Sequence, residues 1–226
     1  MSQNCVLTPV AFIHTEFPAK FGIPRQAGLA EELRGKIVFE PAYRADEALR
    51  GLEGFSHIWL IWGFSENRDR GWTPTVRPPR LGGNTRLGVF ATRSPFRPNG
   101  LGLSCVRLVG MQKEDGRGTC LLVAGADLMD GTPIYDIKPY LPYADCRTEA
   151  VGGFAPEMPD RLEVLIPPEL EAAIPEGRRP ALTAVLAQDP RPPYQEDPER
   201  VYGMSFAGLE IRFRVEGRRL TVLAVD

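Results

Sequence analysis

Four short segments of this chain contain side chains that could bind an ionic ligand: Pro24-Arg25-Gln26, Arg93, the glycine-rich turn at 100–103, and the segment 127–130. An arginine can bind a carboxylate through paired hydrogen bonds, and a carboxylate can bind an ammonium group or ribose hydroxyls. Together, the segments would suit a zwitterionic nucleoside. For the two carboxylates of 127–130, a structural turn around Asp130-Gly131 is an equal alternative.

A basic stretch at residues 76–103 is the centre of this arrangement. It holds five arginines, four prolines and five glycines in 28 residues. Proline fixes φ and glycine permits unusual φ values, so such a composition gives loops a defined shape. The guanidinium group suits phosphate and carboxylate. We interpret the stretch as a platform for an anionic ligand; a set of solvated turns is the alternative.

The charge distribution supports the same interpretation. The net charge is −2, but residues 68–97 contain seven Arg, no Lys and only Asp69 as an acid, which gives +6 locally and −8 elsewhere. Such asymmetry favours a phosphate-rich partner. A charge-dense surface without a partner remains possible on sequence grounds.

The elements that would position these segments are mostly strands. The apolar run 55–64 predicts a core strand, and the segments 102–109 and 120–126, with Asp115-Gly116 between them, predict a hairpin. The segment 87–91 predicts another strand, and 45–52 a short helix. Loops at the ends of a closed or nearly closed sheet meet at one rim. We therefore expect a mainly β fold.

Composition changes at residues 144–161, which predicts two domains. Residues 1–147 form the β-rich domain in this interpretation, and residues 160–226 a small α+β domain. The second has predicted helices at 168–173 and 180–187 and a terminal hairpin of strands 204–215 and 218–225.

Several function classes lack their motifs. The sequence has no dinucleotide-binding or P-loop glycine pattern, no GxSxG and no HExxH, and its four cysteines include no CxxC pair. His14 and His57 both fall inside predicted strands, which argues against a nucleophile triad. The acids are not clustered with histidines, so we expect no metal. No signal peptide or membrane-spanning stretch is visible, and a reducing cytoplasm is the expected location.

Long motifs in a fixed order carry a family resemblance: KFGIPRQAGL, GLEGFSHIWLIW, VRPPRLGGN, GVFATRSPFRPNGLGLS and DLMDGTPIYDIKPYLPYAD. Over residues 7–145 the chain resembles the TsaA-like family, whose bacterial branch contains the TrmO-type tRNA methyltransferases, and DPRPPY resembles the smaller C-terminal domain of that branch. The resemblance implies a homodimer with a small β-barrel that binds S-adenosylmethionine. It also implies N6-methylation of N6-threonylcarbamoyladenosine beside the tRNA anticodon.

The resemblance also implies a set of cofactor contacts. These are Pro24, Arg25, Gln26, Ser65, Glu66, Arg93, Leu103, Asp127, Leu128, Met129 and Asp130. Ser65-Glu66 departs from the His-Gln pair of relatives, so these two contacts have the least support.

The reaction needs a proton acceptor, because the carbamoyl group delocalises the lone pair of the acceptor nitrogen. The candidates are Asp127, Asp130, Glu66 and Tyr140, and the sequence does not select one.

The anticodon loop of tRNA is the expected partner, since specific RNA recognition favours unstacked loops. We expect Arg77, Arg80, Arg86 and Arg97 to contact it, and Trp72, Phe96 and Tyr140 are candidates for base stacking, with packing roles as the alternative. Two other functions stay open: a methyltransferase of the same fold that acts on a small metabolite, and a non-catalytic regulatory module that binds S-adenosylmethionine or a nucleoside.

Overall fold

A computed structural model of the chain describes residues 6–66, 71–192 and 197–226. Cys5, Arg68, Asp69 and Arg70, and the last two residues of the DPRPPY segment, lie outside this part. Within it no helix is both long and apolar enough to cross a membrane.

Strands dominate the described chain, which confirms the prediction of a mainly β fold. The strands are β1 (Ala11–His14), β2 (Arg34–Phe39), β3 (His57–Gly63), β4 (Thr75–Val76), β5 (Leu87–Gly88), β6 (Leu101–Glu114), β7 (Gly118–Ala124), β8 (Thr132–Pro139), β9 (Glu163–Leu165), β10 (Tyr202–Phe206), β11 (Leu209–Glu216) and β12 (Arg219–Val225). The α-helices are short: α1 (Pro142–Asp145), α2 (Pro168–Glu171) and α3 (Arg179–Leu186).

Six strands pair in the order β1-β2-β7-β6-β3-β8, and β8 pairs again with β1, so the sheet closes into a barrel. Its neighbours are antiparallel throughout. Side chains alternate across β3: Ile58 and Leu60 are buried inside, while Trp59 points outwards and is only partly covered. The apolar run at 55–64 is therefore a strand with an inner and an outer face.

The predicted hairpin is confirmed and is longer than its sequence pattern. β6 and β7 pair from Arg107 opposite Ala124 to Glu114 opposite Gly118. Gly116 and Gly118 both have φ above +70°, which the tight turn between the strands requires.

The second sheet has the order β10-β11-β12-β9, with β9 parallel to β12. The strand predicted at 204–215 is wrong in one respect: it is interrupted at Ala207-Gly208, where both residues have positive φ, and the chain reverses. Two consecutive residues with positive φ form the turn that fits the twist of a two-residue hairpin.

Two other segments differ from prediction because the chain turns locally. The strand predicted at 87–91 is limited to Leu87–Gly88, and Val89–Ala91 is a 3-10 turn. The helix predicted at 45–52 consists of the 3-10 turns Asp46–Leu49 and Leu52–Gly54, separated by Gly51 at φ 88°. Further 3-10 turns occur at Pro41–Tyr43, Pro79–Leu81 and Glu176–Arg178.

Buried apolar side chains form two clusters. One fills the barrel, and the other lies between the second sheet and α3. Phe17, Ala30 and Leu33, from the long connection between β1 and β2, belong to the second cluster. This connection also contains Pro24-Arg25-Gln26, so the segment predicted to bind ligand directly follows Phe21 and Ile23, which pack against the same cluster.

Candidate cofactor site and basic surface

A partly buried carboxylate lies at the centre of the candidate site. Asp127 follows β7 and is flanked by Ala126 and Leu128, both buried in the barrel core. The Ser104 hydroxyl donates to Asp127 Oδ1 at 2.6 Å, and Trp62 Nε1–H donates to the Ser104 oxygen at 2.9 Å. A chain of hydrogen bonds therefore runs from β3 through β6 to the turn after β7.

Burial raises the pKa of the Asp127 carboxyl above its ordinary value. The hydrogen bond from Ser104, the backbone N–H of Ala27 and the nearby positive charge of Arg93 oppose this effect. The environment therefore has two opposing effects on the pKa of Asp127: exclusion of water raises it, and hydrogen-bond donors lower it. Opposing effects of this kind on one pKa are typical of a functional carboxylate.

Gly102 permits the close approach of Trp62 to β6. The two residues pair across the strands, and a Cβ on Gly102 would lie 2.3 Å from the indole ring. No real side chain fits at that distance, so the glycine determines where the indole N–H points. Sequence reasoning did not identify Trp62 and Ser104 as site residues, since both look like ordinary strand residues until the register is known.

Gln26 and Arg93 meet at the same end of the barrel. The Arg93 guanidinium donates to Gln26 Oε1, and its charge acts on Asp127. Gly28 N–H donates to the Gly125 carbonyl at 2.9 Å, which ties this loop to the segment just before Asp127. Three of the four predicted segments therefore converge.

Asp130 faces a different neighbour from Asp127. Its Oδ1 accepts the Thr15 N–H at 3.0 Å and lies 3.2 Å from His14 Nδ1, so this carboxylate is joined to the end of β1. The Thr15 hydroxyl donates to the Leu128 carbonyl at 3.0 Å. The turn around Asp130-Gly131 is thus held by β1, and Asp130 is exposed at its tip.

The remaining predicted contacts surround β3 and β6. Leu103 lies on the outer side of β6 opposite Ile61 and is 55% exposed. Phe64 N–H donates to the Gly100 carbonyl at 3.0 Å, so the segment with Ser65 and the exposed Glu66 starts beside the beginning of β6. The turn predicted at 100–103 is wrong, because Leu101–Leu103 already belong to β6 and pair with β3.

Tyr140 lies on the outer surface of the barrel. Its ring packs against His57 at 6.1 Å and Trp59 at 5.9 Å between centroids. Trp59 points away from the barrel interior, whereas Ser104 points into it and is buried. The strand wall therefore separates Tyr140 from the hydrogen bonds that hold Asp127.

The arginines of the basic stretch divide into two kinds. Arg77, Arg80 and Arg86 are exposed, although Arg86 donates to the Thr75 hydroxyl at 3.0 Å and Arg80 to the Glu157 carbonyl. Arg97 is half-buried and donates to the carbonyls of Val89 at 3.2 Å and Thr92 at 2.6 Å. Its guanidinium also lies over the Phe90 ring. Arg97 therefore stabilises the conformation of the loop, whereas the other three arginines are exposed on its surface.

A cavity of about 270 Å³ adjoins this loop. Its wall includes Phe64, Trp72, Pro95, Arg97 and Tyr135. Trp72 is 54% exposed and so available for stacking, whereas Phe96 is half-buried. An aromatic and basic cavity of this kind suits a planar or anionic group.

Family models match both parts of the chain. The model of the tRNA-methyltransferase O N-terminal domain matches residues 12–146, and the model of the TrmO C-terminal domain matches residues 159–226. The fold and these matches define the class: the protein is a methyltransferase. The chain belongs to the tRNA-methyltransferase O (TrmO) family.

The similarity to known proteins extends over nearly the whole chain. A tRNA (adenine(37)-N6)-methyltransferase from Escherichia coli is 41% identical over 96% of each chain. A putative S-adenosylmethionine-dependent methyltransferase from Pseudomonas aeruginosa is 43% identical over 92% of this chain and 91% of its own. The crystal structure of TrmO from Pseudomonas aeruginosa superposes with a TM-score of 0.83 at 34% identity and covers 99% of both chains.

Proposed function

We propose that this protein transfers a methyl group from S-adenosylmethionine to N6 of N6-threonylcarbamoyladenosine at position 37, next to the anticodon of tRNA. The Escherichia coli relative carries the tRNA (adenine(37)-N6)-methyltransferase name, and the Pseudomonas relative is named for S-adenosylmethionine dependence. The basic surface supports a substrate that carries the threonylcarbamoyl group, because that group contains a carboxylate.

One observation carries the cofactor assignment: Gln26, Arg93 and Asp127 come from distant parts of the sequence and meet at one end of the barrel. The donor set fits S-adenosylmethionine, since a guanidinium suits its carboxylate and a carboxylate suits its ammonium or ribose hydroxyls. The proposed contacts are Pro24, Arg25, Gln26, Ser65, Glu66, Arg93, Leu103, Asp127, Leu128, Met129 and Asp130. The closed barrel is the proposed binding unit.

When bound, S-adenosylmethionine supplies an electrophilic methyl group on a sulfonium sulfur. The protein must hold the acceptor nitrogen in line with that carbon and remove the nitrogen's proton. Among the four candidate acceptors, Asp127 combines burial with a raised pKa and two fixing donors. Tyr140 lies outside the barrel wall, and Glu66 and Asp130 are exposed. We therefore assign proton removal to Asp127.

The tRNA would lie on the basic stretch. Arg77, Arg80 and Arg86 would contact phosphates, Trp72 would stack on a base, and Arg97 would shape the loop between them. Neutralisation of several phosphates makes such binding strongly salt-dependent.

We also propose two domains, residues 1–147 and 160–226, and a homodimer that acts in the cytoplasm. The ranges of the two family models agree with this division. Two exposed apolar residues are candidates for the subunit contact: Leu103 on the outer side of β6, and Phe90 in the 89–91 turn.

A methyl-transfer assay tests the proposal. The purified protein is incubated with S-adenosylmethionine labelled in the methyl group and with tRNA from a strain that lacks its own enzyme of this family. We expect label in N6-threonylcarbamoyladenosine and none in tRNA that lacks the threonylcarbamoyl group. Label in both pools would overturn the substrate assignment. Binding of S-adenosylmethionine without transfer to any tRNA would favour a metabolite methyltransferase or a regulatory module.

A further inference from the structure

Three consecutive residues after β1, Thr15-Glu16-Phe17, connect the C-terminal sheet to the carboxylate turn. On one side, the Thr15 N–H and hydroxyl donate to Asp130 and to the Leu128 carbonyl. The Phe17 carbonyl accepts the Asp130 N–H at 2.9 Å. All three hydrogen bonds hold the turn at 127–130.

On the other side, the same residues bind the C-terminal sheet. The Glu16 carbonyl accepts the Ala207 N–H at 2.9 Å, and the Phe17 ring packs edge-on against Phe206, with 5.4 Å between the centroids. The Glu16 side chain is 7% exposed and forms an ion pair with Arg178, which precedes α3 and whose own side chain is 44% exposed. Within the described residues, no hydrogen bond to the Glu16 carboxylate accompanies this ion pair.

The loop that follows is held by the same sheet and helix. Gly22 sits against Met204 so closely that a Cβ would lie 2.7 Å from its terminal methyl carbon. The Leu29 carbonyl accepts from Arg161 and Gln188, each at 3.2 Å. Pro24, Arg25 and Gln26 lie between these two anchor points.

We infer that Arg178 is a positioning residue for the cofactor site, and that it acts through Glu16. The ion pair fixes the three-residue connection, which in turn fixes the 127–130 turn and the start of the loop that carries Gln26. The buried partner of this ion pair is the Glu16 carboxylate, so loss of Arg178 leaves a buried charge uncompensated, which the structure relieves by moving the connection towards water. The inference rests on the proposed function, since it names what positions the proposed site.

The test compares three variants with a matched control. Arg178→Ala removes the ion pair, Glu16→Gln removes the carboxylate charge that Arg178 neutralises, and Arg178→Lys keeps the positive charge at position 178. The control, Arg212→Ala, breaks the exposed ion pair with Asp226 in the same sheet, whose groups are 56% and 62% exposed. Calorimetry gives the Kd for S-adenosylmethionine, the transfer assay gives KM and kcat, and hydrogen exchange reports the amides of 24–28 and 127–131.

Arg178→Ala is expected to raise the Kd and KM for S-adenosylmethionine about tenfold. This change corresponds to only part of the free-energy cost of leaving a buried charge unpaired, because the rest lowers the stability of the fold. Its kcat at saturating cofactor should change less than KM, because the reacting groups are intact. Exchange should become faster in both segments. Glu16→Gln should show a smaller effect, and Arg178→Lys and Arg212→Ala should resemble the wild type.

Unchanged Kd and unchanged exchange in Arg178→Ala would overturn the inference, as would equal effects in Arg212→Ala. If Arg178→Ala does not fold, Glu16→Gln decides, since it leaves no buried charge unpaired: the Arg178 guanidinium that loses its partner is 44% exposed. Wild-type Kd and wild-type exchange in Glu16→Gln would then overturn the inference. If the wild type binds no S-adenosylmethionine, the proposed function fails, and exchange alone then decides whether Arg178 holds the two segments.

Discussion

The Ser104 hydroxyl lies 2.6 Å from Asp127 Oδ1, and this one hydrogen bond joins the inner face of β6 to the turn after β7. Because Ser104 also accepts from Trp62, its hydroxyl hydrogen is directed towards the carboxylate. The orientation of Asp127 is therefore set by the barrel wall, which is more rigid than a loop.

Ser104→Ala should weaken the binding of S-adenosylmethionine and make it more sensitive to acid. The variant removes the largest contribution that lowers the pKa of Asp127, so that pKa rises further above its ordinary value. The measurement is the Kd as a function of pH between about 5 and 8, the range over which a shifted carboxyl is distinguished from an ordinary one. Ser56→Ala, which removes an exposed hydroxyl beside His57, is the control and should follow the wild type. Identical pH profiles for all three proteins would contradict the assigned role.

Asp127→Asn should change how the free energy of unfolding depends on pH. The folded-state pKa of Asp127 is raised, so between the ordinary value of 3.8 and the raised value the folded state binds more protons than the unfolded state. Stability from this group therefore falls as pH rises through that interval, and the variant lacks the fall. Denaturant unfolding at pH values below and above the interval should show the variant gaining stability relative to wild type at the higher pH. A pH-independent difference between the two proteins would refute the shift. The variant should also lose methyl transfer.

Gly102→Ala should destabilise the barrel, whereas Gly110→Ala on the same strand should not. The added methyl group at Gly102 would meet the Trp62 ring, while nothing lies within 4 Å of a Cβ at Gly110. Overpacking of this kind costs about 1–3 kcal/mol, and a tolerated substitution stays within about 0.5 kcal/mol. Thermal unfolding and Trp fluorescence measure the stability and the displaced indole. Equal stability of the two variants would mean that Trp62 can move without cost.

The sequence predicts which residues converge in the site only where those residues lie in turns at the ends of recognisable strands. Gln26, Arg93 and Asp127 lie in turns between recognisable strands, and a closed sheet gathers such turns at its rim. Ser104 and Trp62 could not be found this way. Their contact depends on the register of β3 against β6, and composition carries no information about register.

Arg97 illustrates a second limit of sequence reasoning. Its position in a basic stretch suggested an RNA contact, but its guanidinium is half-buried against the backbone carbonyls of the loop. A count of arginines cannot separate side chains that face solvent from those that stabilise a turn.

The chain reversal at Ala207-Gly208 was also missed from sequence, since only one of its two positive-φ residues is a glycine.

Arg77→Ala combined with Arg86→Ala should weaken tRNA binding more at low salt than at high salt. Each lost phosphate contact to a single-stranded loop should reduce the slope of log K against log salt by about 0.7. Filter binding over a range of salt concentrations measures this slope. Arg97→Ala should instead lower thermal stability, because it removes the guanidinium donor to the Thr92 carbonyl and one of three donors to the Val89 carbonyl. An unaltered slope in the double variant would remove these residues from the RNA surface, and Arg212→Ala serves as the control for lost surface charge.

The return of β8 to β1 has a consequence for assembly. Among the described strands of the barrel, each has a neighbour on both sides, so the barrel has no border strand of the kind that ends an open sheet. Two copies that associate through the barrel are therefore expected to use side chains and loops, because neither barrel has a border strand to pair with the other. The C-terminal sheet differs, since β10 and β9 are its borders and could accept an extended peptide from a partner.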